Sequence, residues 1–327
     1  MQLKSQQEKP LRRVLVVAAF SQTGQLRDVV ESMVSPLRAA AGIELVERVI
    51  EPAQKPPFPW PFMQFFDTFP ESVHEVAPTL VPLPEDDGGP FDLVVLAYQV
   101  WFLSPAPAMT SFLQSDQARA WISGAPVVTV VACRNMWLMA QERMRARIRE
   151  LGGHLVDHVA LTDSAHSAAT FISTPAWLLT GNKGPFLGGL VPAAGIPAAT
   201  IAAAARFGRA WADALPTRSR SDQRSMLAGL GAVRVNERLV ASEKIARRSF
   251  LLWGALLRKA GGPGAFPRRC LLVAYIVFLV SLICTVVPAS ALIKRLAAPL
   301  FRRRTALQKA YFAAPSGEGV ERMPQVV

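Results

Sequence analysis

The stretch "VLVVAAFSQTGQLRDVVESM", residues 14–33, joins an apolar run, a polar turn and a helical pattern. The apolar run ends at Phe20 and does not alternate with polar residues. Such runs are typical of strands that helices cover on both faces, as in a parallel sheet. This stretch therefore predicts the first strand–turn–helix unit of an α/β fold.

Strand and helix patterns alternate along the next 180 residues. Strands are predicted at 13–20, 43–50, 92–98, 126–132 and 154–161, and helices at 25–40, 106–116, 137–151 and 197–214. This alternation favours a doubly wound sheet. We expect a five-stranded parallel α/β domain over residues 10–215.

The turn after the first strand has the chemistry of a phosphate site. In open parallel sheets, ligands bind outside the carboxyl ends of the strands. A helix that begins there favours an anion through its N–H groups and its dipole. We predict that Ser21, Gln22, Thr23, Gly24 and Gln25 hold a phosphate such as that of FMN. The alternative is an ordinary turn in which Ser21 or Thr23 caps the helix.

The third strand ends in "AYQVWFLSPAPAMTSFLQS", residues 97–115, where two aromatic residues precede prolines and a helix. Together with the Ser-x-Thr-Gly turn, this pattern resembles the flavodoxin-like superfamily, especially its NAD(P)H-dependent FMN and quinone reductases. The resemblance implies the strand order 2-1-3-4-5 and FMN beside Tyr98, Trp101 and Phe102. Core packing is the alternative for the aromatic pair.

Two further segments bear on the same site. The resemblance implies that Arg134 and Asn135, after the fourth strand, bind the other edge of the flavin; helix capping is the alternative for Asn135. Prolines exclude a long helix over most of residues 51–90. The aromatic residues of that segment suit the wall of an apolar substrate pocket, or a lid over the sheet: Trp60, Phe62, Phe65 and Phe66.

The segments "PFPWPFMQFFDTFPESV" (57–73) and "CRNMWLMAQERM" (133–144), with a long basic C-terminal extension, give a closer resemblance. They resemble the dialkylresorcinol condensing enzymes of bacteria, which are encoded beside ketosynthases that make dialkylresorcinol lipids. The resemblance implies FMN-dependent aromatisation of a dialkyl-cyclohexanedione to a dialkylresorcinol, with a ketosynthase as a partner.

Aromatisation requires a hydride acceptor and a base. FMN would accept the hydride. Candidates for the base are His154, His158, Asp163, Tyr98 and His166. We favour His166, which follows the fifth strand, as the catalytic residue; a surface-loop histidine is the alternative.

The composition changes after Leu215. We expect a polar basic linker at 216–235, an amphipathic basic helix at 236–259, a transmembrane or re-entrant helix at 270–293 and a basic tail at 294–327. The chargeless run at 270–293 is long enough to span hydrocarbon. Basic residues on both sides leave its topology open.

The charge and the cysteine content limit the kinds of ligand and partner that we expect for this chain. The net charge of +12 lies mainly in the C-terminal third, beside the apolar run, which favours anionic lipid over nucleic acid. The three cysteines are far apart, so no metal site is expected. The N-terminus lacks the apolar core of a signal peptide, so we expect the cytoplasmic face of the inner membrane.

Three functions are compatible with these features. The first is FMN-dependent aromatisation of a lipidic dione. The second is a membrane-associated reductase of a quinone or FMN, with NAD(P)H as a further cofactor. The third is a flavin electron carrier or a scaffold for a ketosynthase, although its basic charge argues against a carrier.

Overall fold

A parallel sheet of five strands organises the protein in the computed structural model, which describes residues 11–84, 88–163 and 167–323. Side chains at 167–172, 187 and 286–301 are outside that description. The strands are β1 (Arg12–Ala19), β2 (Ile43–Ile50), β3 (Leu93–Tyr98), β4 (Pro126–Cys133) and β5 (His154–Thr162). Their order is β2-β1-β3-β4-β5, which is the flavodoxin-like order. The predicted fold class is confirmed.

The three central strands are buried on both faces. All residues of β3 are buried, as are nearly all those of β1 and β4, although successive side chains point to opposite faces. The helices that accompany the sheet are α1 (Gln25–Ala39), α2 (Phe62–Asp67), α3 (Phe69–Val73), α4 (Pro107–Phe112), α5 (Asp116–Ile122), α6 (Leu138–Glu150), α7 (Ser167–Thr180), α8 (Ala198–Ala203) and α9 (Ala205–Ala214). A Cβ at Gly208 of α9 would lie 1.9 Å from the Met33 carbonyl oxygen, so a glycine is needed where α9 meets α1.

The proline-rich segment before β3 contains the short helices α2 and α3 instead of one long helix, in agreement with its prolines. The helix α7 was not predicted. Its sequence includes Pro175 and several β-branched residues, which weaken the helical signal.

The segment 216–235 is not the free linker that its polar composition indicates. Six of its side chains are buried in the main core: Met226, Leu227, Leu230, Ala232, Val233 and Val235. The N–H of Ala160 in β5 donates to the Ala232 carbonyl oxygen at 2.9 Å. Asp157 in β5 accepts hydrogen bonds from the Ser225 and Ser316 hydroxyls. The α/β domain therefore includes this segment and does not end at residue 215.

Two antiparallel helices form the C-terminal part, α10 (Glu237–Lys259) and α11 (Phe266–Ala313). The helix α11 extends well beyond the predicted 270–293, into the expected basic tail. Phe312, near its end, is buried in the main core. Within the described residues, Phe266–Thr285 is the one stretch of helix long and apolar enough to cross a membrane.

The contacts between these helices require α11 to bend. Trp253 of α10 contacts Phe278 with 5.3 Å between ring centroids, and Lys244 lies 5.8 Å from the Phe312 ring. At 1.5 Å per residue, positions 244 and 253 are about 14 Å apart along α10, whereas 278 and 312 would be about 51 Å apart along a straight α11. The helix therefore leaves α10 after Phe278 and returns to it before Phe312.

Candidate functional site

The loops that follow β1, β3, β4 and β5 meet at the carboxyl edge of the sheet. The Gln99 side chain donates to the Ser21 hydroxyl at 3.3 Å and links the first two loops. The Asp163 N–H donates to the Cys133 carbonyl oxygen at 3.2 Å and links the last two. The strand order reverses between β1 and β3, so a crevice opens there in this type of sheet.

The loop after β1 presents free backbone donors at the start of α1. Gly24 has φ +80°, the left-handed conformation that glycine adopts without strain. The Ser21 hydroxyl accepts the Leu26 N–H at 3.2 Å. Within the described part of the chain, the N–H groups of Thr23 and Gln25 have no protein acceptor. They remain available for an anion.

The two glutamine side chains of this loop have structural partners. Gln22 donates to the Pro57 carbonyl oxygen at 2.7 Å and accepts from the Trp60 indole N–H at 2.8 Å. The Gln25 amide exchanges two 3.2 Å hydrogen bonds with the backbone of Ile196. These side chains fix the loop against neighbouring segments, so only their backbone could serve a phosphate.

Strained backbone occurs at the other two loops of the predicted flavin site. Phe102 and Leu103 after β3 have φ +48° and +62°, and Met136 after β4 has φ +56°. Left-handed conformations of bulky residues are uncommon and concentrate at functional sites. This observation supports a ligand-binding role for both loops.

An aromatic cluster connects the proline-rich segment with the loop after β3. Trp60 contacts Trp101 and Phe65 at centroid distances of 5.7 and 5.8 Å. Phe65 contacts Phe102 at 5.4 Å and Phe66 at 5.3 Å. The structure thus brings together most of the predicted aromatic residues, but as packed rings; Phe62 lies at their margin and is 49 % exposed.

The same cluster continues into the C-terminal helices. Phe69 of α3 contacts Phe102 at 5.3 Å and Phe250 of α10 at 5.2 Å, and it stacks on Tyr275 of α11 at 4.6 Å. Arg268 of α11 forms ion pairs with Asp67 and Glu71 at 2.6 Å. The extension is therefore packed against the predicted site.

Tyr98 does not take the predicted place beside the flavin. Its side chain is fully buried between the sheet and α6, and its hydroxyl donates to Gln141 at 2.8 Å. Gln141 donates to Thr129, whose hydroxyl pairs with His158. Burial lowers the pKa of His158 to about 3. Tyr98 and His158 are therefore core residues and cannot serve as the base.

The remaining candidates for the catalytic base lie at opposite edges of the sheet or outside the described residues. His154 begins β5, at the amino edge of the sheet, far from the strand ends. Asp163 lies at the carboxyl edge, accepts the Gly195 N–H at 2.8 Å and lines a cavity of about 250 Å³. His166 lies outside the described residues. Among the described candidates for the base, Asp163 is thus the one that lies at the edge of the sheet where the flavin is expected.

Arg134 and Asn135 lie at the end of β4, as predicted, and are half-buried. Burial lowers the pKa of the Arg134 guanidinium, and the charge of Asp163 opposes this shift. The Asn135 side chain accepts the N–H of Met136 at 2.9 Å. Asn135 thus stabilises the strained turn itself.

Two charged residues of α10, Glu243 and Arg247, also reach this region, although the sequence did not indicate a role for them there. Glu243 is fully buried, and one of its oxygens accepts the Met139 N–H at 3.3 Å at the start of α6. Its other oxygen has no hydrogen-bond partner within the described residues. Arg247 binds the loop after β3. No local signal distinguishes them from the other charged residues of an amphipathic helix.

No family model matches the chain, and no curated protein matches it. Among solved structures, it is similar to a flavoprotein in complex with FMN from Lactobacillus acidophilus NCFM. That similarity has 16% identity, covers 46% of this chain and 93% of the other, and has a TM-score of 0.36. It is also similar to a flavodoxin from the domain Archaea, with 10% identity over 62% of this chain and 96% of the other, and a TM-score of 0.32. The fold assignment therefore rests on the strand order.

We predict that Glu243 makes stability depend on pH. Burial raises its pKa from 4.5 to about 8, so the folded protein retains a proton that the unfolded chain releases. The free energy of unfolding should therefore fall as pH rises from 4.5 towards 8, by up to about 1.4 kcal/mol per unit. In chemical denaturation, Glu243→Gln should flatten this dependence, whereas Glu237→Gln on the same helix should not. Equal slopes for all three proteins would contradict the assignment.

Proposed function

We propose that this chain is an FMN-dependent oxidoreductase that acts on a lipidic substrate. The observation that carries the proposal is the arrangement of the loops after β1, β3 and β4. One loop offers free N–H groups at a helix start, and the other two hold strained residues beside Trp101 and Arg134. A flavodoxin-like sheet binds its flavin at this switch point.

The described residues fit the phosphate of FMN. The free N–H groups of Thr23 and Gln25 lie at the positive end of α1. The Arg27 guanidinium approaches Gly24, and the Lys55 ammonium lies 5.4 Å from the Phe20 ring. This combination of donors and positive charge suits a phosphate dianion.

The resemblance noted in the sequence defines the substrate that we propose, a dialkyl-cyclohexanedione. When bound, FMN would accept a hydride, and the ring would become aromatic by losing that hydride and one proton. We propose that Asp163, directly after β5, takes the proton, with His166 as the other candidate. A ketosynthase that makes the dione is the partner that we propose.

The aromatic cluster supports a lipidic substrate. It extends from Trp101 at the strand ends to Phe69 and Tyr275 beside the C-terminal helices. We propose that alkyl chains bind along this continuous apolar surface. Trp60 also binds Gln22, so this segment serves the phosphate loop as well as the substrate.

We further propose that α10 and α11 bind the cytoplasmic face of the inner membrane. Large apolar side chains on both helices are exposed: Leu252 63%, Leu256 43%, Phe266 79%, Val273 50%, Val277 60% and Val280 54%. Fourteen Lys or Arg residues but two Glu residues lie between positions 237 and 309. An apolar face with a basic surround is complementary to anionic lipid.

The binding of FMN can be tested directly. The purified protein should bind FMN non-covalently and quench its fluorescence. Thr23→Asp should weaken binding at least about tenfold, because a carboxylate would face the phosphate. The isosteric, neutral Thr23→Asn serves as the control for charge. Wild-type protein without any affinity for FMN would exclude a flavin enzyme.

The binding of lipid can be tested by vesicle flotation. The wild-type protein should co-float with vesicles that contain anionic lipid, and less with neutral vesicles. Leu252→Glu combined with Val277→Glu should abolish flotation, since each places a charge on the apolar face. Val49→Glu, at a similarly exposed valine of β2, should float normally. Flotation of the double variant would show that another surface binds the membrane.

The proposed reaction can be tested with a synthetic dione. In a single anaerobic turnover, the FMN-loaded protein should convert a 2,5-dialkylcyclohexane-1,3-dione into the resorcinol and reduce the flavin. Phe65→Ala should lower kcat/KM about tenfold for a long-chain dione and less for a short-chain analogue. Rapid reduction by NAD(P)H and reoxidation by a quinone, with no reaction of the dione, would favour the reductase instead.

A further inference from the structure

The inner face of α10 contacts the loop after β3 and the start of α6, which directly follows the loop after β4. Glu243 binds the backbone at the start of α6, directly after the loop that follows β4. One turn further along, Arg247 binds the loop that follows β3. A helix of the C-terminal extension is therefore in contact with the predicted site.

Arg247 makes several contacts with backbone around this loop. One of its terminal nitrogens donates to the Leu103 carbonyl oxygen at 3.1 Å and to the Ser104 hydroxyl. The other donates to the Val73 carbonyl oxygen at 3.3 Å, and Glu75 lies 3.8 Å away. The side chain of Arg247 is only 13% exposed, so water competes little for these bonds.

The backbone that Arg247 binds belongs to the strained part of the loop after β3. Phe102 and Leu103 have consecutive left-handed conformations, each of which costs about 1–3 kcal/mol for a residue with a side chain. Such a conformation persists only where surrounding contacts determine it. The bond to the Leu103 carbonyl oxygen acts directly on one of these two residues.

We propose that Arg247 is a positioning residue for the flavin: it holds the loop after β3 in the conformation that presents Trp101 and Phe102 to the ring. This inference rests on the proposed function. Because Arg247 belongs to α10, the C-terminal extension would then form part of the cofactor site. The outer face of the same helix is the one that we propose to bind lipid.

The chemistry of arginine suits this role. Its planar group donates in several fixed directions and so reaches three acceptors on two segments at once. A lysine would supply the charge but only a compact point donor. The neighbouring Arg248 is exposed and provides a matched position for a control.

The test compares Arg247→Met, Arg247→Lys and Arg248→Met in the full-length protein. Each variant is measured for FMN affinity, for the visible absorption spectrum of FMN at saturation, and for thermal unfolding without FMN. Arg247→Met should raise the Kd for FMN about tenfold or more and shift the bound spectrum towards that of free FMN. Arg247→Lys should recover part of both effects, and Arg248→Met should match the wild type.

A second variant keeps the inference testable if Arg247→Met does not fold. Ser104→Ala removes one acceptor of Arg247 and leaves the charge in place, so it should raise the Kd by a smaller factor. If the wild type binds FMN but the folded Arg247 and Ser104 variants keep its affinity and bound spectrum, the inference is wrong. If the wild type does not bind FMN, the proposed function fails instead.

Discussion

The reversal of strand order between β1 and β3 is the constraint on which the rest of the structure depends. Crossover connections in parallel sheets are right-handed, so the connection from β1 to β2 and the connection from β3 to β4, which run towards opposite edges of the sheet, must cover opposite faces. The loops after β1 and β3 consequently diverge and leave a crevice between them. Gln99 bridges the crevice at its floor through the Ser21 hydroxyl. The loop after β1, which we propose to bind the phosphate, and the loop after β3, which we propose to contact the ring, border this gap.

A second constraint lies in β5, the edge strand on the side of the sheet opposite to β2. Asp157 is fully buried, and its carboxyl group accepts four hydrogen bonds, from the Ser225 and Ser316 hydroxyls and from the N–H groups of Met226 and Leu227. These donors come from two parts of the chain about 90 residues apart. A buried carboxyl group must have such partners, so the segments before α10 and after α11 are tied to the same edge strand. This explains why the extension belongs to the domain.

The features of the fold that depend on local sequence patterns could be predicted from the sequence. The five strands were predicted within one or two residues because buried parallel strands are uninterrupted apolar runs, and Gly24 marked the turn that opens α1. Residues 216–235 were misjudged because their buried apolar side chains are interspersed with arginine and serine. The orientation of Tyr98 and the roles of Glu243 and Arg247 depend on partners distant in sequence. No local pattern records such partners.

The bend of α11 has a mechanical consequence. The outgoing part of the helix is held by Arg268 on Asp67 and Glu71, and the returning part by Phe312 in the main core and by Lys309 on Glu237. If only one end of α11 were attached to the α/β domain, the domain could rotate about that single attachment. Two separate attachments restrict this rotation. If α11 binds the membrane as we propose, these two attachments would hold the crevice above β1 and β3 at a fixed height and tilt relative to the membrane surface.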